Sequence, residues 1–421
     1  MFAFAKKLFA APPTPIGVDL GTDTLRVAQC VFDGQDWQLA AAACTDVPAS
    51  ARESAEAYYA FAAEALRDLV AHGGFRGRSA VLSVPSAALE IGHVRMPRLT
   101  DEETRKALPW ELKGKLSVDP AHAVLRYVVA GETQAGGEAK NEVVVMATPK
   151  AAVQRLIDLA GRAKLEITGL NTEPKAVVDC FAHVYRRKGD ADVTGALIDV
   201  GAKRTRVTIA RGGRILFARS IDVGGDAFTA AAAAAMGLGF EQAKLLRVKL
   251  AQQPLQRPAP SPMATPAPAP SEEGSFALLG LSRVEERRRA DETVEIVPAA
   301  LPADQFEQER QVELAVAPAV ARLCDELNLC RRYHEATFSQ HPVDRVIFIG
   351  GEARQRGMCQ KIAQSLGIAA QLGDPLVRMG KTTTIGVESG IDLSQPQPAW
   401  AVAVGLSMGP LAEVAAVAAA A

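Results

Sequence analysis

Two stretches of this chain, 180 positions apart, carry one pattern, and no other feature limits the fold as much. In each, an apolar strand runs into Asp-x-Gly, turns and starts back: Asp19, Gly21, Arg26 and Val27 stand opposite Asp199, Gly201, Arg206 and Val207, and every pair is identical. A strand-turn-strand that recurs in this way is the mark of a duplicated unit. Its surroundings repeat as well. Strands over 16–20, 25–31 and 37–47, punctuated by Gly21 and by Asp33-Gly34, read as an antiparallel meander. Strands over 196–200, 205–210 and 214–221, with Arg211-Gly212-Gly213 between the last two, read as a second meander. At 421 residues there is room for two such bodies, since a single core rarely grows past roughly 250–300 residues.

Both turns suit a phosphate chain. Gly17-Val18-Asp19-Leu20-Gly21-Thr22-Asp23-Thr24 brings a carboxylate, a glycine and two hydroxyls to one tight turn. Close backbone N–H groups and hydroxyl donors are what phosphate oxygens need, and glycine lets the backbone approach. Asp19 repels phosphate directly, so its expected role is to hold Mg2+ beside it, through water. A single D-x-G-T turn is also what an ordinary hairpin looks like. The second copy, Asp199-Val200-Gly201-Ala202-Lys203-Arg204-Thr205, favours two loops gripping one phosphate chain from both sides of a cleft. Gly350-Gly351-Glu352-Ala353 follows a further apolar strand and precedes a helical pattern. Those glycines suit a plain strand-to-helix turn or the close approach of a nucleoside, and their place after two D-x-G hairpins favours the nucleoside.

The rest of the chain is organised around these turns. Residues 15–85 and 166–192 are the expected core of a first lobe, with an amphipathic helix over 51–71 that carries Tyr58, Ala62, Leu66 and Leu69 on one face, Ser50 as its candidate cap, and a strand over 80–84. Residues 86–165 read as an inserted α+β subdomain. It holds strand 89–95, a helix from Asp101 with a Thr100/Glu103 capping box and Pro109 to kink or end it, strands 124–130 and 142–147, and a helix from Pro149. A helix over 173–187 leads back. The second lobe's core is expected at 193–235 and 341–410, where strand 343–349, helix 354–366, strand 369–372 and a terminal helix near 399–408 give an α/β layer. Residues 236–340 form its subdomain, with a helix after Gly239 and a long helical pattern over 302–338 that sets Leu323, Leu327 and Cys330 on one face. Within it, at about 251–291, lies an insertion in which prolines from Pro254 to Pro270 stand among Ala, Ser and Gln, a composition that cannot build a packed core and reads as disordered. Residues 1–14 read as a flexible N-terminus, its first ten residues a frayed end or a small amphipathic foot on lipid, and 411–421 as an alanine-rich tail.

Composition excludes some partners. The 47 basic and 48 acidic side chains nearly cancel, so nothing global draws the chain to nucleic acid or to an anionic membrane. Cys30, Cys44, Cys180, Cys324, Cys330 and Cys359 form no C-x-x-C pair and the histidines are dispersed, which suits reduced thiols in a cytosolic protein and lends a His/Cys metal site no support. No apolar run approaches the ~20 residues of a membrane helix, so any membrane association is expected to be peripheral.

The motif set, in this order, resembles the superfamily of actin, sugar-kinase and heat-shock chaperone ATPases over nearly the whole chain. Within it the chain is similar to the PilM family, actin-like cytoplasmic proteins of type IV pilus assembly that are themselves similar to the cell-division protein FtsA. That likeness rests on residues 16–27, Leu108-Pro109-Trp110-Glu111, Gly169-Leu170-Asn171-Thr172-Glu173, Ile221-Asp222-Val223-Gly224-Gly225-Asp226, and 350–353 with Asp374-Pro375. The resemblance implies an α/β fold of the actin-like ATPase type: two ribonuclease-H-like lobes, an FtsA-like α+β subdomain inserted in the first, a helical subdomain in the second. It implies ATP and Mg2+ between the lobes, with Asp19, Gly21, Thr22, Asp23, Thr24 and Arg26 on one side and Asp199, Gly201 and Thr205 on the other. Asp19 and Asp199 are then the magnesium residues, and Gly224, Gly225, Gly350, Gly351 and Glu352 lie near the sugar and phosphates. Glu241 and Lys244, with Arg247 at the same helical spacing, would line the adenine side; an exposed i, i+3 charge pair is the alternative.

Arg26 stands where the family often has lysine, Lys203 and Arg204 are bulky for the second loop, and Glu352 places a carboxylate where a small residue is usual. The resulting expectation is ATP binding with weak or absent hydrolysis. The implied partners are the cytoplasmic tail of a PilN-like membrane protein and other platform proteins of a type IV pilus or related secretion system, with self-association left open and no nucleic acid. The implied location is cytoplasmic, peripheral at the inner membrane through partners. Two alternatives share the fold. A small-molecule kinase needs a carboxylate base beside a substrate pocket, and no such motif stands out; an FtsA-like filament protein needs a basic membrane helix, and 411–421 has no lysine or arginine.

Overall fold

The computed structural model describes residues 13–135, 137–185, 188–252, 303–382 and 385–409, so the expectations for 1–12, for most of the proline-rich insertion and for 411–421 lie outside it. The strands are β1 (Ile16–Leu20), β2 (Thr24–Phe32), β3 (Trp37–Asp46), β4 (Ser79–Ser83), β5 (Glu90–Met96), β6 (Ala123–Ala135) and β7 (Glu138–Pro149). They continue with β8 (Glu166–Asn171), β9 (Thr194–Val200), β10 (Thr205–Arg211), β11 (Arg214–Ile221), β12 (Arg345–Ile349), β13 (Ala370–Leu372) and β14 (Gly380–Lys381). The helices are α1 (Ala55–His72), α2 (Asp101–Glu111), α3 (Lys150–Arg162), α4 (Glu173–Ala182), α5 (Gly225–Met236), α6 (Phe240–Gln252), α7 (Ala303–Thr337), α8 (Arg356–Leu366) and α9, residues 401–409.

Two large sheets have the same plan. One runs β14-β3-β2-β1-β4-β8 and the other β11-β10-β9-β12-β13. In each, an antiparallel meander (β1–β3, β9–β11) is extended by two parallel strands, β4 and β8 or β12 and β13. The duplication read from two hairpins thus extends to five strands, although identical residues survive mainly at the turns. Burial explains why: β1 is buried over its whole length, and a strand covered on both faces tolerates any apolar residue of suitable volume.

Side-chain alternation along the second sheet joins the lobes. Leu197, Ile347 and Ile349 face the same core as β1, β2 and β4. Their neighbours Ile198, Val200, Val346 and Phe348 face the other way, onto Leu323, Leu327 and Cys330 of α7 and Met358 and Ile362 of α8. The third sheet, β5-β7-β6, does the same on a smaller scale: Val94, Met96, Val143 and Val145 close against Leu108 of α2 and Leu112 just after it, and Val144 and Met146 turn to the first core. The Thr100/Glu103 capping box starts α2 as expected, and Pro109 lies in its last turn. This sheet also leans on the second lobe, where His93 stacks on Phe217 and Glu142 accepts from Arg95 and Tyr333.

Two expectations change. Residues 49–52 take a tight 3-10 turn first, so α1 begins later and its cap is Ser54, whose hydroxyl accepts from Ala57 N at 3.1 Å, rather than Ser50. The end of the chain, counted with the second lobe up to 410, returns to the first: β14 pairs with β3, and Leu376, Met379, Ile385, Ile391 and the length of α9 sit in the first core. Close packing at glycine allows it. A Cβ on Gly17 would collide with Ala403 O, and one on Gly405 with Ala176 O. Ser407 pins the helix by donating to Pro15 O (2.8 Å) and accepting from Cys30 N (3.0 Å). Among the described residues no helix is long and apolar enough to cross a membrane.

Candidate functional site

The register of each hairpin sets an aspartate across from an arginine: Asp19 opposite Arg26 where β1 meets β2, and Asp199 opposite Arg206 where β9 meets β10. Both aspartates are buried, and the charge of Asp199 acts on Asp19. Glu173, the first residue of α4, joins them, also buried. Three carboxylates therefore gather around one guanidinium. Arg206 donates from Nε (3.1 Å) and Nη2 (2.9 Å) to Asp199 Oδ2, and its Nη1 lies 3.1 Å from Glu173 Oε2 without hydrogen-bond alignment.

Electrostatics follow from that crowding. Burial pushes the Asp19 carboxyl up to about 6, against the pull of Arg26 and Arg206 and with help from Asp199. Burial likewise pushes Glu173 up to about 8, although Arg206 lowers it. Burial opposes the charge on Arg206, but Asp199, Glu173 and Asp19 outweigh it and hold the guanidinium above its ordinary value.

Glycines bring the backbones close. A Cβ on Gly21 would collide with Thr24 O, and Gly21 O accepts from Tyr58 Oη at 3.0 Å. Gly224 and Gly225 back the second loop: a Cβ on Gly224 would stand 2.6 Å from Gly201 O, and Gly225 N donates to Gly201 O at 3.0 Å. Gly350, at φ +91°, presses on Asp199 so closely that a Cβ would collide with Oδ1. Gly351 opens the short 3-10 turn Gly351–Arg354, with free space where a side chain would be.

The remaining expected residues divide by position. Thr22 is half-buried in the first turn. Thr24 donates to Asp46, and Thr205 is fully buried and donates to Val223 O at 2.7 Å, so in this state each hydroxyl braces its hairpin. Asp23, Glu241 and Lys244 meet across the lobes: Lys244 Nζ stands 2.7 Å from Asp23 Oδ2, and Arg52 reaches both Asp23 and Glu241 at 2.7 Å. Glu352 pairs with the buried Arg247 (2.6 Å), which also donates to Gly225 O and Thr229 and lies over the Phe228 ring. Three participants were not among the expected site residues. Arg206 had a signal, since it repeats Arg26. Glu173 closes one of the stretches on which the family likeness rests, but a glutamate at a helix start looks like an ordinary helix-dipole partner, so nothing marked it for the site. Arg52 had no signal at all.

A metal-bound phosphate chain fits this chemistry. Glu173 Oε2 is buried without a hydrogen-bond partner, and the Arg206 guanidinium 3.1 Å away faces it as a charge. Bulk is kept away by glycine at each turn. Among the described residues no three His, Cys, Asp or Glu side chains stand close enough to ligate one ion, so an ion here is suited to phosphate and water ligands with a carboxylate behind them.

Residues 17–254 match the model of the family described as Type IV pilus assembly protein PilM. Among solved structures, the chain is similar to one described as the PilM-PilN type IV pilus biogenesis complex, with a TM-score of 0.68, 18% identity, and coverage of 94% of this chain and 98% of that one. At this identity the likeness is one of fold, the two-lobed actin-like ATPase fold. Weaker likenesses are to the ethanolamine utilization protein EutJ from Carboxydothermus hydrogenoformans (TM-score 0.48, 13% identity, covering 94% and 89%) and to MreB 5 of Spiroplasma citri bound to AMPPNP (0.45, 12%, covering 97% and 99%). No curated protein matches the chain in sequence. The family match spans more than half of the chain and contains both hairpins: the chain belongs to the family of type IV pilus assembly protein PilM.

Proposed function

We propose that this chain is an ATP-binding adaptor in the inner-membrane assembly platform of a type IV pilus or a related secretion system. It holds Mg-ATP between its two hairpins, with magnesium bound through water at the aspartates, and binds the cytoplasmic tail of a PilN-like membrane protein with an affinity that nucleotide sets. Through that partner it sits peripherally at the inner membrane. The observation that carries the nucleotide reading is the twofold placement of an aspartate opposite an arginine at the same position of two equivalent sheets. Support for the partner comes from membership of the family and from a similar solved structure that is a complex with PilN.

Adaptor work needs no rapid turnover. A ligand shifts the balance between open and closed lobes only by the difference in its affinity for the two states. Ion pairs that cross the lobes at Asp23, Arg52, Glu241 and Lys244 are where such a difference can arise. The test is the affinity of a fluorescent PilN-like tail peptide with and without Mg-ATP. About fivefold or more difference is expected, the lower end of ordinary coupling energies. Equal affinities in both conditions would remove the nucleotide coupling, and no binding in either would remove the adaptor role.

A further inference from the structure

We infer that Glu352 reads the sugar of the nucleotide: its Oε1 accepts a hydrogen bond from a ribose hydroxyl, and Arg247 holds the carboxylate in place for it. This rests on the nucleotide reading above and deepens it. The two oxygens of Glu352 are in different situations. Oε2 accepts from Arg247 Nη2 at 2.6 Å, and Arg247, itself buried, is fixed in turn by donating from Nη1 to Gly225 O (3.1 Å) and to the Thr229 hydroxyl (2.7 Å). A guanidinium keeps its proton in a protein, so this clamp is permanent. Oε1 accepts no hydrogen bond from the described residues and is not shut off from solvent. One oxygen of a fixed carboxylate is therefore left to accept from a ligand.

Its position says which part of a nucleotide that is. The Glu352 carboxyl lies against Gly225, where an added Cβ would stand 2.3 Å from Oε1, and Gly225 N donates to Gly201 O of the second loop at 3.0 Å. Oε1 thus stands beside the residue that backs the loop expected to hold phosphate, and the part of a nucleotide that adjoins its phosphates is the sugar. Charge makes the same choice. A carboxylate repels phosphate oxygens, whereas a ribose hydroxyl is a donor that a carboxylate accepts from. Neither Gly225 nor Gly351 carries a side chain to bar the approach, and the space beside Gly351 is open.

The test is calorimetry on the full chain in Mg2+ with ATP, 2′-deoxy-ATP, 3′-deoxy-ATP and, as a probe of the base, ITP. The wild type is expected to bind ATP about tenfold or more tightly than at least one of the deoxy nucleotides, as suits a hydrogen bond to a charged group. Glu352→Ala should bring that preference to within about threefold of parity. Arg247→Met, which releases the carboxylate from its clamp, should lower the preference with Glu352 still present, and Arg247→Lys should lower it less. Equal affinity of the wild type for ATP and both deoxy nucleotides overturns the inference, a result that needs no variant to fold. So does a Glu352→Ala chain in which every affinity falls by one factor, the mark of a mere brace for the turn. A loss of preference for ATP over ITP with the deoxy ratios unchanged assigns the carboxylate to the base and also overturns it. In these three outcomes the nucleotide reading stands. A wild-type chain that takes up none of the nucleotides overturns both.

Discussion

Glu173 begins α4 with its carboxyl buried beside Arg206 and one oxygen without a hydrogen-bond partner. Burial holds it at about 8 in the folded chain, against 4.5 for the free group. Because the folded value lies above the unfolded one, the folded state is the one that keeps the proton. The cost of ionising this group is therefore absent below about 4.5, grows through the interval and is complete above about 8. Glu173→Gln, which never ionises, is expected to melt above the wild type by a margin that widens between about pH 5 and about pH 8. Thermal scans showing a margin flat with pH would contradict the burial argument. Gly350 makes a separate prediction. Its φ of +91° with ψ 173° belongs to a region that glycine alone occupies comfortably, and a Cβ would strike Asp199. Gly350→Ala is expected to cost about 2 kcal/mol in a denaturant titration and to weaken nucleotide binding; a cost under about 0.5 kcal/mol would show that the turn can relax. At this scale the sequence was legible where a residue repeats, as Arg206 repeats Arg26, and silent where burial decides, as at Glu173.

Elements were easier to read than their placement. Apolar runs punctuated by turn residues located the two meanders, and a Thr100/Glu103 capping box located α2, because each of these signals is local. Helix α9 shows the limit. Its run Ala-Val-Ala-Val-Gly-Leu-Ser-Met is apolar on every side, which says that it is buried but not against which sheet. What decides is the fit of Gly405 to Ala176 O and of Gly17 to Ala403 O, contacts separated by hundreds of positions. Gly405→Ala is therefore expected to push α9 from α4 and destabilise the first core by roughly 1–3 kcal/mol, seen as a fall of several degrees in melting temperature. Because α4 starts at Glu173, the same substitution should disturb the carboxylate cluster. Wild-type stability in this variant would mean that the helices are not in contact as described.

At the level of the whole molecule, two lobes of one plan are held together by a shared apolar core and by a small set of charges at the cleft. A net charge of −1 gave no hint of that set, since position and not sum determines it. Lys244 and Asp23 are each about a quarter exposed and Glu241 more than half, so each pair is worth no more than about 1 kcal/mol and is weakened by salt. Lys244→Ala is accordingly expected to speed nucleotide release by up to about fivefold in stopped-flow displacement, with the gap to the wild type closing at high salt. An unchanged or slower release would show that these charges do not hold the lobes. The most direct test of the whole account is calorimetric titration of Mg-ATP into the purified chain and into Asp19→Ala. The predicted result is one site per wild-type chain and at least about tenfold weaker binding in the variant. Equal affinity in the two proteins, or no binding heat and no competition with a labelled nucleotide in the wild type, would contradict it.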